Sequence, residues 1–293
     1  MIEHSVFALP FAYIAALTAM AGLPQPLGTA ELAGAMPVFH SESWIRWGDL
    51  ALITVAMVAA RTVAMAANRV IDRELDARNP RTAQRELVTG AVSLRTAVVG
   101  ALVALAVFLG AAAALNPLCL ALAPLALVPL VGYPYGKRFT WGCHFILGLA
   151  QAIVPVAAWL AVTGEWSATP VVLGLAVGTW VSGFDLIYAC QDIASDRREG
   201  VHSLPARFGA AAALRWSATL HTATVALLVA FGFLADLDVW WWVGVAGTAV
   251  ALAYEHTIVR PDDLSRVNRA FFTVNGWVGI GLLTFAALDL ALR

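Results

Sequence analysis

Nine stretches of this chain, at roughly 5–23, 49–67, 96–115, 118–135, 141–163, 168–190, 212–234, 239–258 and 269–291, are apolar almost throughout. A helix needs about 20 such residues to cross a bilayer. The whole chain has 293 residues, of which 60% are hydrophobic and only 13% charged. Soluble domains run nearer about 45–50% apolar and about 25% charged, so this chain has too little charge to cover a water-facing surface. The pattern predicts an all-α integral membrane protein of nine transmembrane helices, forming one domain over 1–293. Pro124, Pro129 and Pro134 make 118–135 the weakest span; neighbouring helices must satisfy the carbonyls they free. The first span has no basic flank before it and no small-residue cleavage site after it, so it reads as a permanent helix rather than a signal peptide. A net charge of −1 gives no global attraction to nucleic acid. Cys119, Cys143 and Cys190 show neither paired nor metal-site spacing and read as small core residues.

The arginines set the orientation. Arg69, Arg73, Arg78, Arg81, Arg85 and Arg95 lie between the second and third spans. Lys137 and Arg138 follow the fourth. Arg197, Arg198, Arg207 and Arg215 follow the sixth, and Arg260, Arg266 and Arg269 the eighth. Alternating spans put all of these, fifteen of the eighteen basic residues, on one face. The positive-inside rule makes that face cytoplasmic, with the N-terminus inside and the C-terminus outside an inner membrane. Trp44, Trp47, Trp166 and Trp240 to Trp242 flank the opposite loops and fit an interfacial aromatic belt. The stretch 24–48 is the one long outer loop, with room for a short surface helix.

The acids are duplicated. Asn68, Asp72 and Asp76 end the second span, and Tyr188, Asp192 and Asp196 end the sixth, at a constant offset of 120 residues. An even number of spans separates the copies, so both emerge on one side, as in a parallel internal repeat of helix groups. A spacing of four stacks side chains on one helical face. Asp72 with Asp76, and Asp192 with Asp196, can therefore each offer oxygens to one cation. Hard oxygen ligands at a water-accessible mouth suit Mg²⁺ arriving with a substrate's phosphates. The plain alternative is solvated helix ends paired with Arg69, Arg73 and Arg197.

Lys137 and Arg138 add cationic groups suited to a polyanion, or serve topology alone. Arg61 lies inside the second span, two turns before Asn68 and on the same face. An intramembrane arginine is costly unless it meets a cavity or a partner, and Asp185, seven residues before Asp192 on the same helical face, is one such acid. His144 and His221 are lone histidines in apolar spans and read as satisfied core polar residues.

With these residues in place, the chain resembles the UbiA superfamily of intramembrane prenyltransferases. Asn68-x3-Asp72-x3-Asp76 is similar to the superfamily's first aspartate-rich motif, and Asp185-x2-Tyr188-x3-Asp192-x3-Asp196 to its second. Tyr133-Pro-x2-Lys137-Arg138-x-Thr140 resembles its loop before helix 5. Glu3 to Pro10 and Asn268 to Asn275 extend the resemblance over nearly the whole chain. The basic residue often found before the Glu-His of the first helix is absent. Within the superfamily the chain looks like the 4-hydroxybenzoate polyprenyltransferase branch. Phe184 to Asp192 and Ser203 to Gly209 most resemble the MqnP type of futalosine-route menaquinone synthesis.

The resemblance implies nine helices around a central cavity open to lipid. It implies Mg²⁺ as cofactor, with Asp72, Asp76, Asp192 and Asp196 as metal ligands. Asn68 joins them around a polyprenyl diphosphate, which Lys137 and Arg138 help neutralise. The expected reaction is electrophilic substitution on a hydroxyaromatic acid. Arg61 is placed to hold the acceptor's carboxylate, and Asp185 to orient or deprotonate its phenol. Tyr133, Tyr135 or Tyr188 either steady the allylic cation or simply pack. The rival reading, a secondary transporter, would place its acids near the membrane midplane on broken helices, whereas these lie at span ends. A haem farnesyltransferase or a lipid-phosphate transferase is the rival within the same superfamily.

Overall fold

A computed structural model describes residues 8–22 and 44–293 of the chain. Residues 3–7 and most of the outer loop at 24–48, both singled out above, lie outside the described residues. The described elements are helical, apart from one isolated bridge between Arg260 and Asp263. They run α1 (Leu9–Gly22), α2 (Trp47–Ile71), α3 (Arg73–Arg78), α4 (Glu86–Thr89), α5 (Leu94–Leu115), α6 (Pro117–Gly136) and α7 (Cys143–Thr163). Then follow α8 (Ala168–Ala189), α9 (Ile193–Glu199), α10 (Leu204–Phe208), α11 (Ala210–Leu234), α12 (Val239–Ile258) and α13 (Asn275–Ala291). A 3-10 turn, Cys190–Asp192, joins α8 to α9, and a π-helical turn, Arg269–Val274, leads into α13.

Local sequence explains most boundaries. Ser93, Asn116, Ser167 and Ser203 each accept a backbone N–H at the start of a helix, which satisfies donors the helix leaves free. Gly90, Gly164 and Gly200 end α4, α7 and α9 at φ of 82°, 70° and 68°, a conformation in which a Cβ is penalised. The three prolines of α6 do not break it.

Among the described residues, seven helices are long and apolar enough to cross a membrane: α2, α5, α6, α7, the α8–α9 continuation, α11, and Arg269–Ala291. Nine were expected. The described part of α1 has 14 residues. α12 has 20, but its tryptophans together with Tyr254, Glu255 and His256 dilute its hydropathy.

The helix pair that matters most for the site is α7 against α8. A Cβ at Gly148 would lie 2.1 Å from Ser182 Oγ and 2.4 Å from the Gly178 carbonyl oxygen. One at Gly174 would lie 2.3 Å from the Ala152 carbonyl oxygen. Small residues let helix backbones approach in this way, and Ser182 Oγ donates to the His144 carbonyl at 3.2 Å. Phe11, Trp180, Phe231 and Trp241 fill the core. Trp241, expected in the aromatic belt, is fully buried, because its indole N–H reaches the Leu228 carbonyl at 3.3 Å and its backbone N–H reaches Asp289 at 3.1 Å. Trp47 and Trp166 are largely exposed, as a belt requires.

Candidate active site

Both acidic motifs sit where a long helix yields to a short one. Asp72 divides α2 from α3 at φ −94°, ψ 5°. Asp192 precedes α9 at φ −97°, ψ 1°. The two equivalent aspartates thus share the sparsely used bridge conformation. Helical hydrogen bonds continue on both sides of Asp72, from its N–H to Asn68 at 2.9 Å and from Asp76 back to it at 2.8 Å, so the stacking expected from a spacing of four is kept.

Between the motifs lies a cavity of about 240 Å³. Asn68, Asp72 and Asp76 line one side, and Asp185, Tyr188, Asp192 and Asp196 the other, with Lys137 between. Arg138 does not line it. Arg138 donates to the Ile71 carbonyl at 2.5 Å and stacks on Tyr135, while Arg61 faces two neighbouring cavities.

Four carboxylates around one space repel unless cations intervene, and here the chain's own groups do so. Lys137 Nζ meets Asp72 at 2.6 Å, and Arg85 meets Asp76 at 2.6 Å. Arg81 clasps Asp192 with a fork of 3.0 and 2.6 Å, while its Nη1 reaches the Tyr188 hydroxyl at 3.3 Å. Ser203 donates to Asp196 at 2.7 Å. The expected alternative partners lie elsewhere: Arg69 pairs with Glu86, and Arg197 donates to the Ala206 carbonyl at 2.7 Å. The Lys137 loop is held by the His202 N–H on the Lys137 carbonyl at 2.7 Å. Burial pushes the Asp72 carboxyl above its ordinary range, with Lys137 pulling the other way.

Among the described residues, no three carboxylate, His or Cys ligands converge on one point. The donor set nevertheless suits a hard divalent cation that arrives with phosphate oxygens. Asp72 is 1% exposed and its Oδ1 has no hydrogen-bond partner; Arg138 lies 3.9 Å from it. Such a buried, unspent carboxylate oxygen is costly and is a natural ligand atom.

Deeper in the bundle, Arg61, Tyr133, Gln151 and Asp185 line a smaller cavity of about 100 Å³. Tyr133, Leu147 and Asp185 belong to both spaces. Arg61 forms no ion pair among the described residues, and its Nε is buried without a partner. Asp185, one partner considered for it, is instead bound by His144, Nδ1 to Oδ2 at 2.6 Å. His144 is thus a buried histidine with a polar partner, as expected, and so is His221, 3.0 Å from His256; what the sequence does not show is that His144's partner is a site carboxylate. A third space of about 340 Å³, almost wholly apolar, is bounded by α2, α5, α6, α7 and α8.

Sequence reasoning placed Arg81 and Arg85 only as markers of topology and did not single out Asn79, which donates to Asp192 at 3.1 Å. The density of arginine just after the first motif was the available signal. His144 was marked only as a polar residue in an apolar span; its partner Asp185, 41 residues on, is not legible locally.

The UbiA prenyltransferase family model matches residues 29–277. The 4-hydroxybenzoate octaprenyltransferase of Pseudomonas fluorescens (strain Pf-5) is 32% identical over 246 residues, covering 83% of this chain and 81% of that protein. The apo structure of a UbiA homolog from Aeropyrum pernix K1 is 34% identical with a TM-score of 0.82, covering 99% of this chain and 98% of that one. A UbiA homolog from Archaeoglobus fulgidus bound to GPP and Mg²⁺ shares the fold, with a TM-score of 0.64 at 18% identity over 99% of both chains. The duplicated acidic helix ends, the cation-filled cavity between them and these likenesses agree: the chain is an enzyme and belongs to the UbiA prenyltransferase family.

Proposed function

We propose that this chain transfers a polyprenyl group from an allylic polyprenyl diphosphate to the ring of a hydroxyaromatic acid, of the 4-hydroxybenzoate or 1,4-dihydroxy-6-naphthoate type, in ubiquinone or menaquinone biosynthesis. The observation that carries this reading is the junction of a polar cavity with a deeper chamber. The first holds Asp72, Asp76, Asp192 and Asp196; the second holds Arg61; they meet at Tyr133, Leu147 and Asp185. The name of the P. fluorescens relative supports 4-hydroxybenzoate as acceptor. The resemblance of Phe184 to Asp192 and Ser203 to Gly209 to the MqnP type supports the naphthoate.

Asp72, Asp76, Asp192 and Asp196 would hold Mg²⁺, with Asn68 beside them. When bound, the ion neutralises charge on the departing diphosphate. Lys137, Arg81 and Arg85 exchange their carboxylate partners for diphosphate oxygens, which removes the need for any cation to leave the site. Arg138 adds positive potential from the rim. The apolar space among α2 and α5 to α8 takes the isoprenoid tail and keeps water from the allylic carbon. As the C–O bond to diphosphate breaks, the Tyr188 and Tyr133 rings flank the developing cation. Arg61 holds the acceptor's carboxylate, which answers its buried Nε, unpartnered among the described residues. The domain spans 1–293, nine helices surround the cavities in a parallel repeat, and the acidic mouth faces the cytoplasm across the inner membrane.

The test is direct. Purified protein with Mg²⁺, a prenyl diphosphate and either 4-hydroxybenzoate or 1,4-dihydroxy-6-naphthoate is expected to yield a prenylated ring and free diphosphate. The preferred acceptor identifies the branch. No product from either acceptor, or full turnover in excess chelator, overturns the reading.

A further inference from the structure

We infer that His144 is a positioning residue for the reaction: it holds Asp185 as the base that receives the proton released by the acceptor ring. This rests on the transferase reading above and deepens it.

Asp185 differs from the other acids of the site. Among the described residues it is the only acid lining the deeper chamber, and it lines the polar cavity as well. Lys137, Arg85 and Arg81 each take one of Asp72, Asp76 and Asp192, and Ser203 takes Asp196. Among the described residues Asp185 is met by an imidazole alone. It lies seven residues before Asp192, so about 10 Å deeper along the helix. By the 120-residue repeat Asn68 is equivalent to Tyr188, so Arg61, seven residues before Asn68, stands about 6 Å deeper than Asp185. Both line the deeper chamber, away from the diphosphate, where an Arg61-bound carboxylate would place the acceptor ring.

Burial separates the roles within the pair. The Asp185 side chain is 24% exposed, and that of His144 is 4% exposed. Both side chains line the polar cavity, but the carboxylate is the more exposed of the two and alone of the pair also lines the deeper chamber. His144 Nδ1 meets Oδ2 at 2.6 Å; with Asp185 ionised the carboxylate can only accept, so the imidazole N–H is the donor, which leaves Oδ1 as the face offered to substrate. His144 is itself fixed by its backbone, through Ser182 on its carbonyl and the close approach of α7 to α8 at Gly148. A purely structural buried pair would be closed to substrate; this one opens on the cavity, chiefly through the carboxylate. Its geometry is that of a general base oriented by a hydrogen-bonded second group.

The step balances as follows. The ring carbon forms its bond to the allylic carbon as the C–O bond breaks, and that electron pair leaves with diphosphate. The C–H bonding pair then returns to the ring, and the proton passes to Asp185 Oδ1 while Oδ2 stays bound to His144.

The experiment uses the full chain in detergent or nanodiscs, with Mg²⁺, a prenyl diphosphate and 4-hydroxybenzoate or 1,4-dihydroxy-6-naphthoate carrying ring hydrogen or ring deuterium. His144→Leu is expected to lower kcat by about 10- to 100-fold, with the KM for prenyl diphosphate nearly unchanged. A ring-deuterium isotope effect larger than that of the wild type should appear, because proton loss becomes rate-limiting. His144→Gln, which can still donate to Asp185, should restore most of the turnover. If His144→Leu does not fold, Asp185→Asn carries the same isotope measurement. Wild-type turnover in folded His144→Leu overturns the assignment, and so does a loss of turnover with no change in isotope effect. Both outcomes leave the transferase reading intact; only absence of product from the wild type removes that as well.

Discussion

At the scale of single residues, the site holds carboxylates that burial disfavours and that neighbouring cations rescue. Asp72 is the extreme case, almost wholly buried with one oxygen on Lys137 and the other unspent. Asp72→Asn keeps the shape and removes the charge. It is expected to abolish most turnover while leaving the folded state intact, as is Asp192→Asn; both are checked by diphosphate release together with a thermal melt in detergent. Wild-type-like release from either variant would remove these residues from the metal site. Arg61 makes a second prediction. Arg61→Ala should cost acceptor kcat/KM about 2–3 kcal/mol, roughly 30- to 150-fold, with prenyl diphosphate affinity nearly constant. If the variant instead weakens both substrates together and melts early, Arg61 serves the fold. The aspartates were legible because each motif is contiguous in sequence. Arg81 was not, because its partner Asp192 lies 111 residues away and loop arginines otherwise report only topology.

At the scale of elements, the α7–α8 contact determines where His144 and Asp185 stand. Gly148 has no room for a side chain. Gly148→Val must push α7 off α8, at about 1–3 kcal/mol for overpacking. The expected result is a lower melting temperature in detergent together with lost turnover, since the same shift moves His144. Gly110→Ala in α5, where a Cβ meets nothing within 4 Å, should leave both unchanged. Equal effects from the two substitutions would mean that helix approach does not set the site. The sequence pattern placed α2, α5, α7, α8 and α11 within a few residues of their observed ends, since hydropathy and capping are local properties. It could not read Trp241, whose environment depends on which helices pack around it.

At the scale of the whole molecule, the basic residues of four loops converge on the acidic end of the bundle. Reporter fusions at the two termini are expected to place the N-terminus inside and the C-terminus outside. Both termini in one compartment would mean an even number of crossings, and α1 and α12 would be the first to recheck, because among the described residues they fall outside the seven helices that are long and apolar enough.

The sequence by itself determined that the chain is helical and membrane-bound, that its acids are duplicated at helix ends, and which family it resembles. Each of these is written in short-range composition and spacing. The tertiary structure decided the partners: Lys137 on Asp72, Arg81 on Asp192, and His144 on Asp185 across 41 residues. It also decided that Arg61 and Asp185 line one small chamber without pairing. Partners of this kind depend on the rotation and depth of one helix against another. Those are set by where glycines permit close approach, a property of two surfaces together that neither segment carries alone.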